Sequence, residues 1–142
     1  MAGYSGTPLV RKLGIKSNFD VAFVNAPENF LKQLELPHGV NVKSISRSKG
    51  LDFILVFVKG RTTLTTAFAQ YSGKIKPNAM LWISWPKKSS GVETDLNENI
   101  VRDIGLAAGL VDVKVCAVDE IWSGLKFVYR LRDRAKLKST VA

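Results

Sequence analysis

Few side chains in these 142 residues are of a type that does chemistry, and their spacing narrows what they can do. His38 is the single histidine and sits in Pro37-His38-Gly39, a turn signature. A general base needs a partner and a pocket, so His38 reads as a surface residue. Cys116 is the single cysteine, which forbids an intramolecular disulfide and a paired-cysteine zinc site. No second histidine exists to activate it, and it lies in an alternating apolar stretch. It therefore reads as a small buried or half-buried residue rather than a nucleophile. Asp119, Glu120, Trp122 and Ser123 stand together. Two adjacent acids beside a tryptophan could line a pocket or bind a metal, although adjacent loop acids usually face water. No set of residues amounts to a reaction centre, so neither a catalytic residue nor a metal ligand is assigned.

Anion binding is the chemistry with the most support. Lys87-Lys88-Ser89-Ser90-Gly91 follows an apolar run and precedes a helix signature, so two ammonium groups, two hydroxyls and helix amides could converge on an anion. It is not a Walker loop, whose glycines precede the lysine. The plainer reading is a solvated connection, and Asp95 opposes an anion by its charge. Trp85, at the end of the apolar run, can stack on a flat ligand. Asn25 and Lys59 end two other apolar runs. The expected ligand-binding edge is therefore Asn25, Lys59, Trp85, Lys87 and Lys88.

The elements that must position these residues are legible in apolar pattern. Val21 to Val24, Phe53 to Val58 and Ala79 to Trp85 are nearly continuous apolar runs of strand length, as expected of strands covered on both faces. Pro77-Asn78 is a turn signal before the third run, and Pro86 ends it. Thr7-Pro8 opens a short helix that Gly14 closes. Pro27 and Glu28 start a second helix, with Phe30, Leu31 and Leu34 facing the sheet. Residues 40–45 read as a short strand. Leu64, Ala67, Phe68 and Tyr71 are spaced as one helical face. Asp95 and Glu98 resemble a capping box before Ile100, Val101 and Ile104. Residues 111–118 and 125–131 alternate and are joined too closely for a crossover helix, so they pair antiparallel.

These readings give a three-layer, mostly parallel α/β sheet. The expected spatial order is strand 40–45, 20–24, 53–58, 79–85, 125–131 and 111–118. Residues 1–132 form one domain with a loosely ordered start over 1–6, and 133–142 form a basic tail. A 46% apolar content supports a core without staples. No segment approaches the roughly 20 apolar residues of a membrane span, and the start lacks the apolar core of a signal peptide, so a soluble cytoplasmic protein is expected. A formal charge of +9 favours phosphates or nucleic acid as partners, with Lys126, Arg130, Arg132, Arg134, Lys136 and Lys138 crowding the C-terminal region. Oligomeric state is not legible.

Asp52 to Val58, a helix, then Ile75-Lys76-Pro77-Asn78-Ala79 to Ser84 resembles the fourth strand, next helix and fifth strand of class I S-adenosylmethionine-dependent methyltransferases, in which the turn often reads K-P-G-G. Ala107-Ala108-Gly109-Leu110 and the final hairpin are similar to the end of that fold. The resemblance covers residues 52–132 well and 20–46 in outline. It implies a cofactor edge with a glycine-rich turn after the first strand and an acid after the second. Here those positions read Asn25-Ala26-Pro27 and Ser46-Arg47-Ser48-Lys49. The chain also resembles a small bacterial family, a domain of unknown function, through Gly3 to Val10, Trp82 to Lys88 and Val115 to Glu120. A non-catalytic or small-ligand-binding module without a resident cofactor is the leading expectation. A methyltransferase with an atypical S-adenosylmethionine site is the alternative, and nucleic-acid binding the third reading.

Overall fold

The computed structural model describes residues 7–141, with side chains described through residue 136. The chain runs α1 (Leu9–Leu13), β1 (Asp20–Val24), α2 (Phe30–Gln33), β2 (Asn41–Val42), β3 (Leu51–Phe57), α3 (Arg61–Tyr71), β4 (Ile75–Pro86), α4 (Glu98–Ala107), β5 (Leu110–Ala117), β6 (Trp122–Tyr129) and α5 (Leu131–Val141). The six strands form one sheet in the order β2-β1-β3-β4-β6-β5, which is the expected order. β2, β1, β3 and β4 run parallel, and β6 lies antiparallel between β4 and β5. This is the three-layer, mostly parallel α/β architecture read from the apolar runs, and its topology is Rossmann-like.

The continuous runs are buried on both faces because each face carries helices. Leu13, Ile15, Phe30 and Leu34 from the α1–α2 side pack on Phe53, Leu55, Phe57 and Trp82. Leu64, Phe68 and Val101 from α3 and α4 pack on Ile54, Val56, Leu81 and Ile83. Trp82 is fully buried, and its indole N–H donates to the Leu13 carbonyl at 2.9 Å, so its polar atom costs nothing inside. The chain steps outward in one direction from β1 to β2 and in the other from β3 to β4. Right-handed crossovers then put α2 and α3 on opposite faces, and the strand order reverses between β1 and β3.

Several local expectations change. The turn signal Pro77-Asn78 lies inside β4, where the register slips from Leu51 opposite Ile75 to Phe53 opposite Met80. The surplus residues bulge out at the place where a proline without a donor is tolerated. The strand read over 40–45 pairs only at Asn41 and Val42, and a 3-10 turn takes Ile45–Arg47. α2 is four residues long, too short to present one face, so Phe30 and Leu34 are buried while Leu31 is exposed. Thr7 makes no cap: Pro8 occupies that position, with no side-chain bond. Gly14 does adopt the left-handed conformation that ends α1, at φ 82°.

The last strand stops at Tyr129, and the segment read as a basic tail is helical from Leu131 to Val141. Val113 and Val115 do not share a covered side with Val111. They are 55% and 51% exposed, because β5 is an edge strand whose register shifts between Asp112 and Lys114. The loose start expected over residues 1–6 lies outside the described residues.

Candidate functional site

β1, β3 and β4 end at one edge of the sheet, and antiparallel β6 begins there. All five expected ligand residues lie along this edge, but they divide between two cavities. Asn25 and Lys59 line a cavity of about 420 Å³ with Pro27, Phe57, Val58, Thr63 and Trp122. Trp85, Lys87 and Lys88 line one of about 710 Å³ with the loop through residues 91–98 and with Ser123. Trp122 and Ser123 are neighbours on β6, and successive strand residues point to opposite faces, which is why the two cavities fall on different sides of the sheet.

The smaller cavity sits at the point between β1 and β3 where strand order reverses, the position at which open α/β sheets take ligands. The sequence builds it in three pieces. Asn25 leaves β1 in the left-handed region at φ 58°. Asparagine is among the few residues other than glycine that tolerate this geometry, so the chain turns sharply without the expected glycines. The Asn25 amide donates to the Phe57 carbonyl at 3.4 Å, tying the ends of β1 and β3 together. Phe57 packs edge-on against both Trp122 and Phe30, with ring centroids 5.1 Å apart in each case, giving the cavity an apolar aromatic wall. Lys59 is exposed at the rim, and Thr63 lies in the first turn of α3. No carboxylate lines this cavity among the described residues.

The larger cavity is poorly suited to an anion. Glu93, Asp95 and Glu98 line it against Lys87 and Lys88. Its loop also satisfies its own polar groups. The Ser90 hydroxyl donates to the Lys87 carbonyl at 2.6 Å and accepts from the Val92 N–H at 3.1 Å. The N-cap of α4 is Asn97, whose side chain accepts from the Ile100 N–H at 2.9 Å. Asp95 instead reaches back 34 residues: its carboxylate accepts from the Arg61 N–H at 3.0 Å and occupies the N-terminus of α3. Thr94 donates to the Lys59 carbonyl at 2.6 Å, so the loop is anchored to the end of β3 at two points.

His38, Asp119 and Cys116 line neither of these cavities. His38 lies at the opposite end of the sheet, where its carbonyl accepts from the Asn18 N–H at 3.0 Å. Asp119 accepts from the Ile121 and Trp122 N–H groups, both at 2.8 Å, and holds the β5–β6 turn. Cys116 is half-buried, and burial pushes its thiol above the usual range while Lys114 and Lys12 pull it partly back. Among the described residues no group of three His, Cys, Asp or Glu side chains could hold a metal ion. Within the same residues no helix is long and apolar enough to cross a membrane. Sequence reasoning missed Pro27, Phe57 and Thr63 as lining residues. The signal for Phe57 and Thr63 was their closeness to Lys59 at a strand end that leads directly into a helix.

No protein-family model matches the sequence, and no curated protein does. Solved structures do match. A S-adenosylmethionine-dependent methyltransferase from Aquifex aeolicus superposes with a TM-score of 0.58 at 17% identity, covering 84% of this chain and 86% of that one. A possible exported protein from Bordetella parapertussis gives 0.59 at 11% identity, covering 85% and 64%. Aeropyrum pernix fibrillarin, solved with natively bound S-adenosylmethionine, gives 0.53 at 9% identity, covering 82% and 69%. At these identities the likeness is one of fold alone, a Rossmann-like, methyltransferase-like α/β sheet.

Proposed function

We propose that the chain binds S-adenosylmethionine, or its demethylated product, in the cavity between the ends of β1 and β3, and that it acts as a small methyltransferase with an atypical cofactor site. The observation that carries this reading is the position of that cavity at the strand-order reversal of a methyltransferase-like sheet. The residues present fit much of the cofactor. The left-handed turn at Asn25 lets backbone come close, Lys59 suits the methionyl carboxylate, and the Phe57–Trp122 wall suits a flat base. The connection after β2 leaves the same edge carrying Ser44 and Ser46, whose hydroxyls are 3.1 Å apart and can bond a ribose diol in place of a carboxylate. When bound, the cofactor supplies an activated methyl group. This chain's own residues orient it and shield one side from water. None of them is assigned to proton transfer.

The missing carboxylates have a consequence for affinity. A sulfonium cation gains nothing from a cavity lined by Lys59 and no acid, so the product, whose thioether sulfur is neutral, binds at least as tightly as the substrate. Calorimetric titration with both compounds tests this. Expected is measurable binding of each with the demethylated product favoured, and no heat from either at millimolar concentration removes the reading.

The same carboxylate-free lining, with Lys43 and Arg47 following β2, favours a second reading. In it the cavity holds a small phosphate-bearing ligand and the chain is a non-catalytic binding module. Stabilisation by nucleotides or sugar phosphates, without stabilisation by either S-adenosyl compound, would select it. Membership of the small bacterial family whose motifs the chain resembles is likewise proposed, on those motifs alone.

A further inference from the structure

A second charged surface lies on the α1 face of the sheet and shares no residue with either cavity. Lys114 on β5 and Lys126 on β6 are direct cross-strand partners, and Trp82 on β4 lies in register on the other side of Lys126. Directly opposed side chains in an antiparallel pair have Cβ atoms about 5 Å apart, and like charges there are destabilising. The Lys114 ammonium reaches across the sheet face and donates to the Lys12 carbonyl at 2.7 Å, which brings the basic end of α1 onto the pair. Lys16 follows α1 and its charge also reaches Lys126. Lys126 is half-buried, and burial together with Lys114 and Lys16 holds its ammonium below the usual lysine range.

Among the described residues no carboxylate pairs with Lys12, Lys16, Lys114 or Lys126. Asp112, the nearest acid along β5, is bound by Arg102 of α4 at 2.8 Å, on the far side of the register shift. The like-charged pair costs stability and concentrates positive field on this face.

We propose that Lys12, Lys16, Lys114 and Lys126 form a contact surface for the phosphate backbone of a nucleic acid. Lysines meet phosphates as point charges without strict geometry, and closely spaced lysines suit a regularly repeating anion. The overall charge of +9 supplies the long-range attraction that brings such a polymer to the patch. This surface is independent of the cofactor reading, since it shares no residue with the cavity between β1 and β3.

The test is fluorescence anisotropy of the full chain with a labelled single-stranded oligouridylate over a series of salt concentrations. With four phosphate contacts the logarithm of the association constant falls against that of salt with a slope of about −3. Replacing Lys114→Gln and Lys126→Gln together is expected to bring the slope to about −1.5 and to leave the thermal midpoint unchanged or higher. Lys16→Gln, at an exposed position, carries the same expectation at half the size, so a folding defect in the double variant would not shelter the proposal. Lys87→Gln with Lys88→Gln removes equal charge elsewhere and is expected to leave the slope near its original value. The proposal is overturned by absent binding, by an unchanged slope in Lys16→Gln and the double variant, by an equal drop in the Lys87–Lys88 control, or by binding of polyglutamate in preference to the oligouridylate.

Discussion

Asn25 is the residue that most changes the reading of this chain. In sequence, a first strand ending without glycine argues against close backbone approach to a cofactor. In the structure Asn25 adopts φ 58°, the conformation for which glycine would have been needed. Residue type alone could not show this, because asparagine is common in ordinary turns as well. Cys116 was legible from its surroundings as a packed thiol, and burial confirms the reason. Its thiolate is disfavoured in the folded state, so the folded pKa lies above the ordinary 9.0. Above pH 9.0 the unfolded chain ionises this thiol before the folded one does, and the contribution to stability is lost as pH rises through the folded value. Alkylation of native Cys116 by iodoacetamide should accordingly show a midpoint above 9.0, and a midpoint at or below it would contradict the burial. Gly105 sits against the Phe127 ring, where a methyl group has no room. Gly105→Ala should cost about 1–3 kcal/mol in denaturant unfolding, more than the gain in helix propensity returns.

At the scale of elements, the long β strands were legible because continuous apolar runs have one explanation, burial on both faces. The capping logic was legible in kind but misassigned in place. Asp95 and Glu98 have the spacing of a capping box, yet Asn97 caps α4 while Asp95 serves the start of α3, 34 residues away. Sequence spacing cannot reveal a cap delivered by another loop. Asp95→Ala should therefore destabilise the protein by about 1 kcal/mol. It should also speed hydrogen exchange in the first turn of α3 rather than at α4, and protection lost only at α4 would restore the local capping box. The short elements, α2 and β2, were the least legible, since a few residues carry no periodicity and their form is set by what they pack against.

For the whole molecule, strand order followed from connection lengths and handedness, which is why the sheet was readable end to end. The edge where β1, β3 and β4 end was readable too, because the strand-order reversal is a property of topology. What could not be read was how the edge divides. Asn25, Lys59, Trp85, Lys87 and Lys88 all lie along it, but β6 begins between them and its alternating side chains part the space into two cavities of opposite character. One is aromatic and free of carboxylates among the described residues, the other of mixed charge and tied up by its own loop. The proposed ligand site is the first. The most direct measurement is the dissociation constant of the demethylated cofactor for Lys59→Gln beside that for Lys87→Gln with Lys88→Gln. Loss of one charge-assisted hydrogen bond should weaken the first by roughly tenfold or more and leave the second unchanged. An unchanged constant in Lys59→Gln with a large loss in the Lys87–Lys88 variant would place the ligand in the other cavity and contradict the proposed site.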